Sequence, residues 1–124
     1  MIQPNEVRLG NLIKSPKGDR VKVTGFFENL IYYNKGEKED LQHFEPIPLT
    51  AEILLQSGFE KTVAVNSLVL YRINKLVAEI FDDGRVNFST IGSEFYEHIC
   101  FCRYTHQLQN LFFVITGREL EIKM

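Results

Sequence analysis

The chain has 124 residues, of which 44% are hydrophobic and 24% are charged, and its formal net charge is -2. These values are typical of one folded domain and exclude a disordered chain; the net charge excludes nucleic-acid binding by overall positive charge alone. No stretch approaches the roughly 20 apolar residues that span a bilayer. The first residues lack the charged-then-apolar order of a signal peptide, so a cytoplasmic protein without membrane contact is expected.

Charge is distributed unevenly over the first third of the chain. Residues 1–23 contain five basic and two acidic side chains, a local balance of +3, whereas residues 35–45 contain two basic and four acidic ones, a balance of -2. A basic segment can bind phosphates even in an acidic protein, because such contacts depend on where the cations lie. The alternative interpretation is an ordinary solvated surface with mixed charge followed by a polar loop.

The N-terminal segment has the pattern of an antiparallel β meander. Residues 7–13 form a first candidate strand, in which Gly10 indicates a bulge or a close backbone approach. Residues 15–19 contain the proline and glycine of a turn, residues 20–24 alternate polar and apolar side chains, and residues 26–33 continue the β pattern. A compact SH3-like partial barrel with basic residues on its exposed side is the predicted structure.

The centre of the chain predicts a connector, a short helix and a second sheet. Residues 45–50 are extended because each residue before a proline is disfavoured in a helix, and Thr50 is the predicted N-cap of a helix over residues 51–57 that Gly58 ends. Asp82-Asp83-Gly84 is a tight-turn signal within the sheet that follows. The candidate strands of this sheet are residues 61–65, 67–73, 76–81, 85–89 and 95–103.

The C-terminal residues predict an amphipathic helix. Thr105 is the predicted N-cap, and Gly117 stands where the chain leaves the helix, because glycine adopts the left-handed conformation without a Cβ clash. Gln109 is predicted on the polar face. The spacing i, i+3, i+4, i+7 predicts one buried apolar face, formed by Leu108, Leu111, Phe112 and Ile115.

These elements predict a single α+β domain over residues 1–124. Its successive parts are a basic meander, a connector with a short helix, an antiparallel sheet, and a helix with a tail, which correspond to residues 1–45, 46–60, 61–105 and 106–124.

The metal-like grouping of the sequence is His98, Cys100 and Cys102, with His106 close behind. In a regular strand the first three side chains would share one face. A structural zinc site needs four ligands, commonly from two separated pairs, and no second pair follows here. A buried strand explains the cysteines as small hydrophobic residues, and free thiols are expected because residues i and i+2 of a strand are too far apart for an easy disulfide. No metal or other cofactor is predicted.

Catalytic signatures are weak. No serine lies in a Gly-x-Ser-x-Gly turn, and the glycines are dispersed rather than gathered in a phosphate-binding loop. Glu94 with Glu97, or Asp82 with Asp83, could in principle form a carboxylate pair, but Asp82-Asp83 is far better explained by its turn. A non-enzymatic protein is therefore predicted.

Binding is the function class that the residues favour. Cations beside aromatic side chains can hold RNA or single-stranded DNA through phosphate contacts and base stacking. They can equally bind an acidic or aromatic protein surface, since Tyr and Arg are enriched at interface hot spots. Phe26 and Phe27 lie near this group. The predicted partner-binding residues are Arg8, Lys14, Lys17, Arg20, Lys22, Tyr32 and Tyr33.

Three blocks of the sequence resemble a family of small proteins from phages, prophages and mobile elements of Bacteroidota. These are Ile2-Gln-Pro-Asn-Glu-Val-Arg-Leu-Gly-Asn-Leu12, Pro46-Ile-Pro-Leu-Thr-Ala-Glu-Ile-Leu-Leu-Gln-Ser-Gly-Phe-Glu60 and His106-Gln-Leu-Gln-Asn-Leu-Phe-Phe-Val-Ile-Thr-Gly-Arg-Glu-Leu120. They cover both ends and the centre of the chain. The family has no assigned activity, so the resemblance implies no catalytic residue.

The resemblance implies a protein that acts on a host. Short non-enzymatic phage proteins often bind and block a host machine, which is an argument from origin and not from a site. The first hypothesis is therefore an inhibitor of a host defence complex, of the anti-CRISPR type, that binds an effector protein or its guide RNA. The alternative is a nucleic-acid-binding accessory protein of phage replication or packaging.

Overall fold

A computed structural model describes residues 2–34, 36–63, 69–91 and 96–123. The chain is α+β, as predicted, with a four-stranded and a five-stranded antiparallel sheet. The strands are β1 Leu12–Lys14, β2 Arg20–Phe27, β3 Leu30–Tyr33, β4 Glu37–Asp40, β5 Glu60–Val63, β6 Val69–Ile73, β7 Leu76–Ile80, β8 Val86–Ile91 and β9 Tyr96–Cys102. The helices are α1 Ala51–Gln56 and α2 Thr105–Thr116, and two short 3-10 turns span Pro4–Glu6 and Leu41–His43.

The chain divides into two compact units. The first comprises Met1–Ile47 with Tyr104–Glu119, and the second comprises Pro48–Arg103 with Leu120–Met124. Helix α2 therefore belongs to the unit that contains the N-terminal meander, where it packs against β1. That both units fold as one domain stays a prediction.

The first unit contains the predicted meander, with strands in the order β1-β2-β3-β4. Its first strand is shorter than predicted and begins at Leu12, because residues 8–11 form a turn in which Gly10 has a φ of +90°. Gly18 has a φ of +87° in the predicted turn between β1 and β2. The inner face of the sheet is the core of this unit, formed with its neighbours by Ile2, Val7, Ile13, Val21, Val23, Ile31, Tyr33, Leu41 and Phe44.

The second half of this meander differs from the prediction in two places. Residues 26–33 do not form one continuous strand, because Glu28 and Asn29 make a turn in which Glu28 has a φ of +55°. The segment 35–45, interpreted from its charges as a loop, contains β4 and a 3-10 turn. Asp40 caps that turn by accepting a hydrogen bond from Gln42 N at 3.1 Å. The polar composition of this segment does not indicate a strand. The exposed edge of the strand carries charged side chains, which commonly prevent pairing with other chains.

The second unit contains the five-stranded sheet, in the order β5-β6-β7-β8-β9. Thr50 caps α1, as predicted, by accepting a hydrogen bond from Ile53 N at 3.2 Å, and Gly58 follows the helix with a φ of +95°. The fully buried Phe88 lies at the centre of the core and meets Phe59 edge-on, with ring centroids 6.4 Å apart. The predicted strand ends at residues 64–68 and 95 lie outside the described residues.

Helix α2 ends at the predicted glycine but begins one residue earlier than predicted. Gly117 adopts the left-handed conformation with a φ of +73° and donates a hydrogen bond to Phe113 O. Its N-cap is Tyr104 rather than Thr105, since Tyr104 N donates to the side chain of Gln107 and Thr105 is the first helical residue. The expected seam is also shifted around the helix: Leu108 and Phe112 are buried, but Leu111 is half-buried and Ile115 is exposed.

The shift occurs because α2 buries polar side chains that bind the N-terminal segment. Gln109, predicted on the polar face, is buried; its Oε1 accepts from Leu12 N at 2.7 Å and its Nε2 donates to Gly10 O at 3.2 Å. Asn110 donates to Glu6 O at 2.7 Å and accepts from Asn11 Nδ2 at 2.9 Å. The unpaired backbone groups around the Gly10 turn are thus satisfied by the helix, which draws its polar residues inward.

Candidate functional site

The outer face of the first sheet collects exposed cations. Along β2, Arg20 and Lys22 are exposed and alternate with the buried Val21 and Val23, as the period of a strand requires. Lys14 pairs with Arg20 across β1 and β2, so these two side chains lie on the same face. The stem of Lys14 passes close to Gly18, since a Cβ at that glycine would lie 3.9 Å from Lys14 Cε.

A β-bulge decides which aromatic ring joins these cations. The pairing of β2 with β3 shifts between Val23 and Gly25, so Thr24 is an extra residue and Gly25 lies opposite Tyr32. Tyr32 in turn lies opposite Lys38 of β4. Tyr32 therefore points outward while its neighbour Tyr33, opposite Val23, points into the core. The Tyr32 side chain covers Gly25, because a Cβ there would lie 3.6 Å from Tyr32 Cβ.

The tip of the β2–β3 hairpin presents two phenylalanines. Phe27 lies opposite Leu30 on the outer face and is 65% exposed, and Phe26 is 52% exposed although its partner Ile31 is buried. Large aromatic side chains with this exposure are uncommon in a sheet and mark an interaction surface when they adjoin polar groups. We call Lys14, Arg20, Lys22, Phe27, Tyr32 and Lys38 the basic outer face.

The lysines on and beside this face lack ion pairs. Lys14, Lys17, Lys22 and Lys38 form no ion pair with any residue in the described part of the chain. Alternation along β4 places Glu37 and Glu39 on the opposite face from Lys38, whereas Glu45 pairs with Lys14 across an isolated antiparallel bridge and shares its face.

These carboxylates are also locally bonded. Glu39 Oε1 lies 2.7 Å from His43 Nδ1, a hydrogen bond that lowers the pKa of the Glu39 carboxyl, and Glu37 accepts from Asn34 at 3.1 Å. Asp40 shares the outer face with Lys38, but one of its oxygens is used in capping the 3-10 turn.

Two of the predicted partner-binding residues have structural roles instead. Tyr33 is buried and packs edge-on against Phe44, with ring centroids 5.4 Å apart. Arg8 donates to Glu119 Oε1 and to Asn110 Oδ1, each at 2.8 Å, and its guanidinium lies 4.4 Å from the centre of the Phe113 ring. Arg8 therefore joins the N-terminal segment to α2 and its end. The exposed remainder is Lys14, Lys17, Arg20 and Lys22, with the half-exposed Tyr32.

Sequence reasoning omitted Lys38 from the candidate site. Its signal was the order Glu37-Lys38-Glu39, which in a strand separates the lysine from both acidic side chains. Residues 35–45 are predicted as a loop, in which side chains do not alternate, so the sequence pattern does not place Lys38 on the outer face.

His98 does not lie on the same face of β9 as Cys100 and Cys102. Cys100 lies opposite Phe88 and His98 lies opposite Ser89, which leaves Ile99 as a bulge and places His98 on the other face from Cys100 and Cys102. His98 contacts Phe101 instead, with ring centroids 5.0 Å apart. The two Sγ atoms are 4.0 Å apart, and burial raises the pKa of the Cys102 thiol far above its usual value. Among the described residues, no group of three or more His, Cys, Asp and Glu side chains could hold a metal ion.

A second exposed surface lies on α2. The helix contains no Asp, Glu, Lys or Arg, and its solvent side carries Phe113, Val114 and Ile115, of which Val114 is 80% exposed. A surface helix ordinarily has charged residues on its solvent side. We call Phe113, Val114 and Ile115 the apolar stripe.

Two concavities among the described residues lie in the second unit. One, of about 420 Å³, is lined by residues 79–83, and another, of about 410 Å³, includes Gly58, Glu60 and Arg72. No helix in the described ranges is long and apolar enough to cross a membrane.

Comparisons with known proteins return no match: no family model, no curated protein and no solved structure corresponds to this chain.

Proposed function

We propose that this protein is a non-enzymatic binding protein that holds RNA or single-stranded DNA on its basic outer face. The observation that carries the proposal is the alignment of unpaired lysines with exposed aromatic rings on one face of the four-stranded sheet. Lysine side chains without carboxylate partners bind phosphates and release the counterions condensed on nucleic acid. Exposed aromatic rings add base stacking, which tolerates any sequence.

Charge reversal of the lysines tests this proposal. A variant with Lys14, Lys17, Lys22 and Lys38 each changed to Glu should bind a fluorescent 12-nucleotide RNA at least about 100-fold more weakly in 0.1 M salt. Wild-type affinity should fall with salt at a log–log slope of roughly -3, as four phosphate contacts on a single strand require, and the variant should lose most of this slope.

The control reverses three lysines instead of four: Lys61, Lys75 and Lys123, which are exposed residues of the second unit. Because these lysines lie outside the basic outer face, RNA affinity should change by less than about threefold, through long-range charge only. Fluorescence anisotropy measures both variants. Equal loss in the two would show that binding follows net charge and would reject this face.

A second candidate function is inhibition of a host defence complex, of the anti-CRISPR type. The observation that favours it is the apolar stripe of α2, since an uncharged helix with exposed aromatic and aliphatic side chains is typical of a protein-binding surface. The partner would be an effector protein, whereas an effector's guide RNA would instead use the basic outer face.

Co-purification with host nuclease complexes tests the inhibitor. Val114→Asp with Ile115→Asp should abolish the complex and the protection of phage, because two charges would be buried against an apolar partner. Leu55→Asp is the control, because it introduces an aspartate at an exposed residue that lies on α1 and outside the apolar stripe. Retention of the complex by the Val114 and Ile115 variant would exclude the apolar stripe as its interface.

A further inference from the structure

The basic outer face is divided along its length into a cationic end and an aromatic end. Arg20, Lys22 and Lys14 lie near the β1–β2 turn, which also carries the exposed Lys17. Phe27 lies at the opposite end of β2, next to the β2–β3 turn. Tyr32 stands between the two ends, opposite Gly25.

We propose that this face takes one short single-stranded segment, not a duplex, and holds it along β2. Its phosphates lie on the lysines near the β1–β2 turn, and its bases stack on Tyr32 and Phe27. This inference rests on the proposed nucleic-acid function and names the form of nucleic acid that the face selects.

The length of the face sets the length of the segment. Arg20 and Phe27 are seven residues apart on β2, which corresponds to about 23 Å at roughly 3.3 Å per residue. A stacked strand advances about 3.4 Å per nucleotide, so at most about seven nucleotides fit, and fewer fit if the strand is unstacked. Single-strand sites of small β domains begin at about four nucleotides, so four to seven nucleotides should fill this face.

The aromatic end accounts for the preference for a single strand. Duplex bases stack on one another and are paired, so their faces cannot reach a ring on a protein surface. Tyr32 is half-exposed over the glycine it covers, and Phe27 has most of its surface in solvent. These rings offer stacking partners only to bases that are unpaired.

The cationic end holds the phosphates of the segment without reading its sequence. Lys14 and Lys22 have no carboxylate partner among the described residues, and their stems lie beside Gly18 and Gly10, each Cε being 3.9 Å from the Cβ position of its glycine. No carboxylate of β1, β2 or β3 lies on this face; its acidic neighbours are Asp40 on β4, Glu45, which pairs with Lys14 across an isolated antiparallel bridge, and Glu119, whose Oε2 lies 3.8 Å from the Cβ position at Gly10.

Binding measurements with three matched probes test the inference: an eight-nucleotide DNA strand, the same strand without bases, and the corresponding duplex. The wild-type protein should bind the intact strand at least about tenfold more tightly than either other probe. Phe27→Ala should weaken binding of the intact strand by between about 5-fold and 150-fold, the range for one lost stacking contact, and leave the abasic strand unchanged.

Two controls separate stacking from folding. Tyr32→Phe keeps the ring and should bind like wild type, and Phe101→Ala removes an exposed phenylalanine of the second unit without effect. The melting temperature of Phe27→Ala should match wild type, because its ring is exposed. Affinity in a length series should rise up to four to seven nucleotides and then level off.

The outcomes distinguish this inference from the proposed function. If the lysine reversal abolishes binding but all three probes bind equally and Phe27→Ala has no effect, the function stands and the single-strand inference is overturned. If no probe binds the wild-type protein, both are overturned.

Discussion

The imidazole of His106 is 1% exposed, and its Nε2 lies 3.2 Å from the Glu6 carboxylate. Its Nδ1 has no hydrogen-bond partner within the described residues, and its ring stacks on Tyr104 with centroids 6.2 Å apart. Burial lowers the pKa of His106 and outweighs the opposing effect of Glu6. The folded protein therefore binds this proton less readily than the unfolded chain does.

This burial predicts a pH dependence of stability. Because the folded pKa lies below the unfolded value of about 6.5, the free energy of unfolding should be highest above pH 6.5 and fall as the pH decreases below it. Urea denaturation between pH 8 and pH 5 measures the effect. His106→Gln should flatten this part of the profile, whereas His98→Gln, at an exposed site, should not. A wild-type slope that persists in His106→Gln would assign it to other groups.

Two adjacent tyrosines lie on opposite faces of the first sheet. Tyr32 and Tyr33 are equivalent by composition, yet one covers Gly25 on the outer face and the other packs on Phe44 in the core. Alternation alone assigns them to opposite faces, but it does not say which faces inward. The bulge at Thr24 fixes that choice by setting the pairing of β2 with β3.

At the scale of elements, α2 is the one whose orientation differs most from the prediction. Leu108 and Phe112 anchor it, as expected, but the remainder of the buried face is polar: Thr105, His106 and Gln109. An apolar periodicity identifies a helix well. It identifies the buried face poorly when the partner surface contains unpaired backbone groups, because amides then enter the interface.

Three substitutions test this orientation. Phe112→Ala should lower the free energy of unfolding by roughly 3–5 kcal/mol through a cavity. Gln109→Ala should lower it by roughly 1–3 kcal/mol, because Leu12 N would lose its acceptor. Ile115→Ala removes an exposed side chain and should cost less than about 0.5 kcal/mol.

Chemical denaturation of the purified variants provides the comparison. Val114→Ala is the control, since it removes methyl groups from the most exposed apolar side chain of the helix. An Ile115→Ala effect larger than that of Gln109→Ala would return the helix to the orientation predicted from its apolar spacing.

At the scale of the whole molecule, overall charge conceals a local surface. The chain has a formal net charge of -2, whereas the basic outer face carries four cations and shares its side of the sheet with Asp40 and Glu45, a local balance of +2. Charges beyond about 8 Å are largely screened at physiological salt, so a nearby phosphate responds to the local balance. The net charge therefore argues against non-specific nucleic-acid binding by the whole protein. It does not argue against nucleic-acid binding at this face.

Composition predicts a folded domain but does not predict how the chain divides into two units. Residues 104–119 return to the N-terminal meander, while the residues before and after them belong to the second unit. Arg8 accounts for part of this return, since it bonds both Asn110 and Glu119 across about one hundred residues of sequence. Such long-range polar contacts leave no periodic trace in the sequence.

The sequence by itself determined the features that depend on neighbouring residues. The turn at Gly18, the Thr50 cap of α1 and the Gly117 end of α2 follow from local backbone conformation and local hydrogen bonds, which short segments specify alone. The alternation of Arg20 to Val23 likewise predicted both the strand and its exposed cations, because side chains of a strand point to alternate faces.

Only the tertiary structure decided the features that depend on pairing. The bulges at Thr24 and Ile99 place Tyr32 with the lysines and separate His98 from the cysteines, and each exists because two strands align in one register. The buried face of α2 was decided in the same way, by the unpaired backbone of the Gly10 turn that Gln109 satisfies. Register and partner surface are properties of distant segments brought together, so no local pattern contains them.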